Sequence, residues 1–269
     1  MKKQIAGLSL LMAGFVTTTA YAASVDFTQS QKDAIGKIAA QYIVDHPEVL
    51  LEASQKLQQQ QRDAQEKTMT AAVLKNQEAL LHTKTTPRAG SSDAKVAVIE
   101  FFDYECVFCH RVAPEVHKLM DKNKDIAFIF QEFPIFASRF EGSKFGAEAG
   151  FAIYNLYGSD AYMQYHQALF EGKNANRDEG KLTKADIMAV IKEIKGVDVT
   201  KVEDYMRSTS PALIEASMKL GSQIGLQGTP GFIIMPTTGA TEKNIVVIPG
   251  YVGYETLQKA VDQVENSLS

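Results

Sequence analysis

Val96-Ala97-Val98-Ile99-Glu100-Phe101-Phe102-Asp103-Tyr104-Glu105-Cys106-Val107-Phe108-Cys109 is the stretch whose reading decides the fold. Its first seven residues are apolar except for one acid, the pattern of a strand covered on both faces. The two cysteines fall where that strand hands over to a helix expected from about Cys106 to Asn123. A second strand, Ile126 to Gln131, follows it. Strand, helix, strand implies a parallel pair. Cys106 therefore meets a helix N-terminus, where partial positive charge and free N–H groups favour thiolate over thiol. Cys109, one turn further in, is more enclosed and is placed to attack a mixed disulfide formed on Cys106. These residues, read alone, point to dithiol–disulfide exchange.

The rest of the chain frames that unit. Residues 138–224 show helical periodicity and no strand pattern: Phe145, Ala149, Ala152, Ile153 and Leu156 recur at helical spacing, as do Ile187, Val190, Ile191 and Ile194. Ser210-Pro211 reads as a cap followed by proline at the first helical position. Two short strands, Phe232 to Met235 and Ile245 to Ile248, and a last helix, about Glu255 to Ser267, complete the order βαβ, helices, ββ, α. Tyr154, Tyr157, Tyr162 and Tyr165 read as helix packing rather than a binding patch. Pro114 falls inside the first helix and is expected to kink it.

Upstream, Lys84 to Lys95 has the composition of a loop and is read as a linker. Residues 23–83 are helix-rich, with Thr28 and Gln31 at capping-box spacing and a second helix start at Asp45-His46-Pro47. Leu50, Leu57, Ala64 and Ala71 recur every seven residues, and Gln60 and Lys67 interrupt the complementary seam of Ala53, Leu74 and Leu81. Helices with one sparse apolar stripe need a partner, so this segment is expected to join copies of the chain into a homodimer or homotrimer.

Residues 1–22 read as a secretory signal peptide: Lys2 and Lys3, an apolar run from Ile5 to Val16, then Ala20-Tyr21-Ala22 before cleavage near Ala22/Ala23. The run is too short to span a bilayer. Export to the periplasm follows. There an isolated Cys pair could be a structural staple, but a ring closed by cysteines three apart removes little unfolded-chain entropy, which favours a redox or metal role. At 45% apolar and 22% charged, the 269 residues exclude disorder, collagen and a disulfide-dense scaffold. The net charge of −4 supplies no basic face for nucleic acid.

Val98-Ile99-Glu100-Phe101-Phe102-Asp103-Tyr104-Glu105-Cys106-Val107-Phe108-Cys109 resembles the active-site segment of the DsbA family of exported thioredoxin-fold thiol:disulfide oxidoreductases. Phe130-Gln131-Glu132-Phe133-Pro134-Ile135 resembles the family's second strand and exit, and Gly228-Thr229-Pro230-Gly231-Phe232 its cis-proline loop. The N-terminal helices resemble the ScsC-like subgroup, whose N-terminal helices join subunits. The resemblance implies an α/β thioredoxin-like fold over 96–269 with an all-helical insertion at about 138–224, preceded by the helical oligomerisation segment. It implies a cis bond before Pro230, with Thr229 and Pro230 orienting an extended client, and Glu100 as the buried acid that relays the proton of Cys109. Buried among Ile99, Phe101 and Phe102, such a carboxyl would have a raised pKa. The redox-active disulfide Cys106–Cys109 needs no further cofactor. Clients would be exported proteins with cysteines, and a DsbB-like or DsbD-like membrane protein would restore the pair.

Two departures bear on the chemistry. Val107-Phe108 stands between the cysteines where strong oxidants of the family carry a His, so Val107, Phe108 and the following His110 are read as tuning residues. Thr229 resembles the isomerases. Two other chemistries compete. Cys106-Val107-Phe108-Cys109-His110 fits the c-type haem pattern C-x-x-C-H. His110 and His117, two turns apart beside two thiols, admit copper, although no tetrahedral set closes and the metal ligands are read as none. His110 is expected to be an exposed helical residue.

Overall fold

The structure is a computed structural model describing residues 26–172 and 179–268. The signal-peptide reading lies outside the described residues.

Two compact units divide the chain, residues 1–58 and 59–269. In the first, α1 (Gln29–Asp45) opens with the expected capping box: the Thr28 hydroxyl accepts from the Gln31 N–H and the Gln31 side chain accepts from the Thr28 N–H. None of its residues is buried. Ile38 and Val44 are 70% and 72% exposed, and Phe27, Ile35, Tyr42, Leu50, Leu51 and Leu57 are exposed as well.

α2 (Glu48–Lys75) ends in the second unit, followed by α3 (Gln77–His82). Met69, Val73, Leu80 and Leu81 are buried together with Ile99, Phe101, Phe133 and Ile233. The expected junction at residues 84–95 therefore lies too late for packing: the last turns of α2 and all of α3 already cover the sheet. Sparse apolar spacing hid this, because only four large side chains are needed to fill one end of a sheet face. The 84–95 segment is not all loop either. β1 (Arg88–Gly90) pairs antiparallel with β3 (Ala127–Glu132) as a three-residue edge strand. A run that short has no periodicity to read.

The sheet runs β1-β3-β2-β4-β5, with β2 (Val96–Phe102) parallel to β3 and antiparallel to β4 (Gly231–Pro236), and with β5 (Val246–Pro249) closing the far edge. All seven residues of β2 are buried. Alternation divides them between two cores. Ala97, Ile99 and Phe101 face the cluster containing Met69 and Leu81. Val96, Val98 and Phe102 face the other, built from α4 (Val107–Lys122), α5 (Glu141–Glu171) and α9 (Tyr254–Asn266). Glu100 shares their parity, which turns it toward α4.

Among the described residues, α5, α6 (Lys184–Glu193), α7 (Val199–Ser208) and α8 (Ser210–Ile224) fill the chain between β3 and β4, and none of it is strand. α5 breaks at Gly158, whose φ of 82° suits glycine, and α8 stops at Gly225 in the left-handed region, φ 92°. Helix α8 begins one residue earlier than the sequence implies: Thr209 is its cap and Ser210 its first residue, with Pro211 still in the first turn.

Candidate functional site

The site begins with strand β2 ending at Phe102 and a four-residue connection tied down on several sides. Asp103 Oδ1 accepts from the Glu105 N–H, and Oδ2 accepts from the Phe136 N–H and the Ser143 hydroxyl. Glu105 accepts from the N–H groups of Gly180 and Leu182. The Tyr104 hydroxyl donates to Glu132 Oε1 at 3.1 Å, and its ring packs on Phe102 and Phe170. Backbone fixed in this way delivers Cys106 to the N-cap of α4 with extended φ/ψ.

Cys106 and Cys109 are both free thiols. The Cys106 thiolate can accept from the Cys109 thiol, the Thr229 hydroxyl and the N–H groups of Cys109 and Phe108, which outweigh burial and bring its pKa down to about 6. As a thiol it donates to the Thr229 carbonyl, Sγ to O 3.3 Å. Thr229 Oγ1 has no other partner. The Thr229–Pro230 bond is cis, the isomer that the resemblance implies. Cys109 is fully buried, and burial, its bond to Cys106 and the nearby Glu100 push its thiol well above the ordinary range. An ultraviolet thiolate titration of the reduced protein should show one thiol with a midpoint near pH 6, absent in Cys106→Ser. A single midpoint at the ordinary thiol value would refute the reading of the helix end.

Glu100 is 3% exposed and its Oε2 has no partner. Burial first and the Cys106 charge second raise its pKa to about 8. It is therefore a proton-holding group beneath the cysteines on the central strand, not an edge acid facing water.

Phe108 is 46% exposed beside the cysteines, with Arg111 over its ring at 5.3 Å and Tyr251 at 6.3 Å between centroids. Val107 is half-buried. His110 corrects an expectation: it is not exposed but buried, with Nε2 2.9 Å from the Tyr104 carbonyl and Nδ1 3.4 Å from that of Phe170. The first turn of α4 faces inward here because α5 covers it. His117 does not join His110 in a shared site; its Nδ1 bonds Glu171 on α5. Among the described residues no three His, Cys, Asp or Glu side chains gather as a metal-holding group.

The sequence reading missed Glu132 as a buried acid. It is 1% exposed, receives the hydroxyls of Tyr104 and Tyr162, and lies so close to α5 that a Cβ on Gly150 would sit 2.1 Å from its Oε1. Burial raises its pKa well above the carboxylate range. The signal was available: an acid within an apolar strand, at the end of β3 here and inside β2 for Glu100.

A family model described as Thioredoxin matches residues 82–262, and one described as Copper resistance protein ScsC N-terminal domain matches residues 31–64. The crystal structure of Salmonella enterica Typhimurium BcfH is similar at 33% identity and TM-score 0.76, covering 88% of this chain and 96% of that one. Proteus mirabilis ScsC in a transitional conformation shares the fold at 24% identity and TM-score 0.58, covering 89% and 100%. The Bacillus subtilis disulfide bond formation protein D is 23% identical over 185 residues, 67% of this chain and 77% of that protein. The match to the Thioredoxin model over more than half of the chain shows the family: the chain belongs to the thioredoxin family, as a disulfide oxidoreductase with an ScsC-type N-terminal segment.

Proposed function

We propose that this protein exchanges disulfides with exported client proteins in the periplasm, forming or isomerising their bonds through Cys106 and Cys109. The observation that carries the reading is the asymmetry of the thiols: Cys106 is held as thiolate at a helix end, against Thr229, while Cys109 is held protonated above Glu100. The Cys106 thiolate attacks a client disulfide and forms a mixed disulfide. Cys109 then attacks the Cys106 sulfur, its proton passing to Glu100 once that carboxyl has ionised, and the client leaves as a thiolate that takes a proton from water. Run in reverse, the oxidised pair forms a client disulfide. The backbone at Thr229-Pro230 orients the client chain. A DsbB-like or DsbD-like membrane protein restores the working state, and the disulfide itself carries the electrons. Export is supported by the leader-like start of the sequence. Among the described residues no helix is long and apolar enough to cross a membrane.

The exposed apolar residues of α1 and the start of α2 support association of copies through the N-terminal segment. Several active sites facing one misfolded client suit isomerisation. The haem alternative loses support from His110, whose ring nitrogens both face main-chain carbonyls.

The test is refolding of a scrambled-disulfide client by the chain from Ala23 to Ser269, beside a fully reduced client and a Cys106→Ser control. Recovery of the scrambled client identifies an isomerase, activity on the reduced client alone an oxidase, and failure on both refutes the proposal. Removal of residues 24–58 should give a monomer that still oxidises thiols and isomerises poorly. The cut stops there because removal through residue 83 would strip Met69, Val73, Leu80 and Leu81 from the core. Full isomerase activity in a proven monomer would count against the association argument.

A further inference from the structure

We propose that the cavity at the β1 edge of the sheet, at the end away from the cysteines, binds a small organic monocarboxylate with an apolar body, its charge held by Arg88. The cavity lies wholly within the second unit and shares no residue with the disulfide chemistry. Five residues of β2, roughly 16 Å of strand, separate Ala97 in its wall from Phe102 at the cysteine end.

The hollow follows from side-chain size along two paired strands. On the sheet face that carries Ile99 and Phe101, the register sets Phe101 against Gln131, Ile99 against Ile129 and Ala97 against Ala127. Large side chains fill the cysteine end, and two alanines leave the other end open. Leu81 and Ile129 stand beside them. The cavity measures about 480 Å³, within the roughly 300–1,000 Å³ usual for small-molecule sites.

Arg88 supplies the charge. It lies opposite Ile129 in the β1–β3 ladder, so its side chain rises on the same face, and it lines the cavity. A guanidinium carries five N–H donors. One Nη donates to the Leu81 carbonyl at the end of α3, while Nε is buried and has no partner. Capping α3 therefore uses only one end of the fork. Among the described residues no carboxylate forms an ion pair with Arg88. No Asp or Glu lines the cavity; Glu78 pairs with His82 at its mouth and faces solvent. An unpaired buried donor on a permanent cation is costly, and a planar carboxylate relieves it with parallel N–H···O bonds. Tyr154 of α5 lines the same cavity within reach of the Arg88 charge and offers a hydroxyl. With one Arg and no Lys, the lining balances a single negative charge, which favours a carboxylate over a phosphate. The alanine, leucine and isoleucine walls suit an aliphatic or aromatic body.

The test titrates the chain from Ala23 to Ser269 with octanoate and with phenylacetate, followed by alanine and isoleucine methyl signals in NMR spectra. Octanol, which lacks the charge, and inorganic phosphate, which lacks the apolar body, are run beside them. The expected result is saturable one-to-one binding of an acid that shifts the Ala127 and Ile129 methyls, at least tenfold tighter than octanol or phosphate. Arg88→Gln should weaken that binding at least tenfold, and Ala127→Leu, which fills the hollow, should abolish it, with disulfide exchange kept in both. No saturable binding of either acid at millimolar concentration would overturn the proposal, as would octanol or phosphate binding as tightly as the acids. Binding unchanged in Arg88→Gln would also overturn it, placing the acid elsewhere, for instance on the exposed apolar residues of α1. If Arg88→Gln does not fold, Ala127→Leu and the octanol comparison decide the matter.

Discussion

Cys106→Ser should reduce disulfide exchange to the uncatalysed background, while Cys109→Ser should keep the first attack and lose release. The two effects differ because the thiols differ. With its pKa at about 6, Cys106 is ~90% thiolate at pH 7, against a few per cent for an ordinary thiol. A serine hydroxyl at the same helix end can neither ionise there nor share electrons with a client sulfur. Cys109 is buried and protonated, so it takes no part until a mixed disulfide forms. Its removal therefore leaves the client covalently held, visible as a mass increase that a reductant reverses. A client adduct on Cys109 in the Cys106→Ser chain would reverse the assignment of nucleophile and resolving thiol. The pH profile adds a check: the rate of the first attack should fall as pH drops through about 6, where the thiolate is lost.

How far the sequence could be read depended on how local the cause was. Strand β2 ends where expected at both Val96 and Phe102, because a run buried on both faces needs no partner to be recognised. Helix α4 was legible for the same reason, since cap and spacing are neighbours in the chain, whereas the cis Thr229–Pro230 bond was implied by the family resemblance alone. Contacts made across the fold were not legible. The inward turn of His110 depends on Phe170, sixty positions away, and the burial of Glu132 depends on Gly150 and Tyr162 in the insertion. Leu81 reads as part of a seam that joins copies of the chain, and Met69 falls on neither seam, until the sheet they cover is known. Glu100 stands between these cases. Its apolar neighbours announce burial, while the size of its pKa shift comes from the helices over that face of the sheet.

Glu100→Gln should stabilise the reduced protein at pH 8, leave it about 1–3 kcal/mol less stable near pH 4.5, and slow the release step. In the unfolded chain the carboxyl ionises near 4.5, and in the folded chain near 8. Between those values the folded state binds the extra proton, so stability is greatest below 4.5 and declines as pH rises to about 8. The accumulated cost of ionising Glu100 is on the order of 4–5 kcal/mol. Glutamine matches the shape and never ionises. It removes that decline and leaves one buried amide whose own unpaired atoms cost about 1–3 kcal/mol, so a net gain survives at the alkaline end. The midpoint of denaturant unfolding, followed from pH 4.5 to pH 8, tests this directly. Because the lowered pKa of Cys106 makes stability rise with pH above about 6, the readout is the difference between variant and wild type, and a difference that does not grow across this window would show that Glu100 is not the buried, neutral group described here. The kinetic side has its own readout. The glutamine cannot take the Cys109 proton, so single-turnover release of the mixed disulfide should slow by about 10²-fold or more, while the Cys106 attack keeps its rate. A variant that is more stable and slower at that one step places Glu100 as the proton acceptor. One that is more stable and equally fast makes it only a buried acid that the fold tolerates.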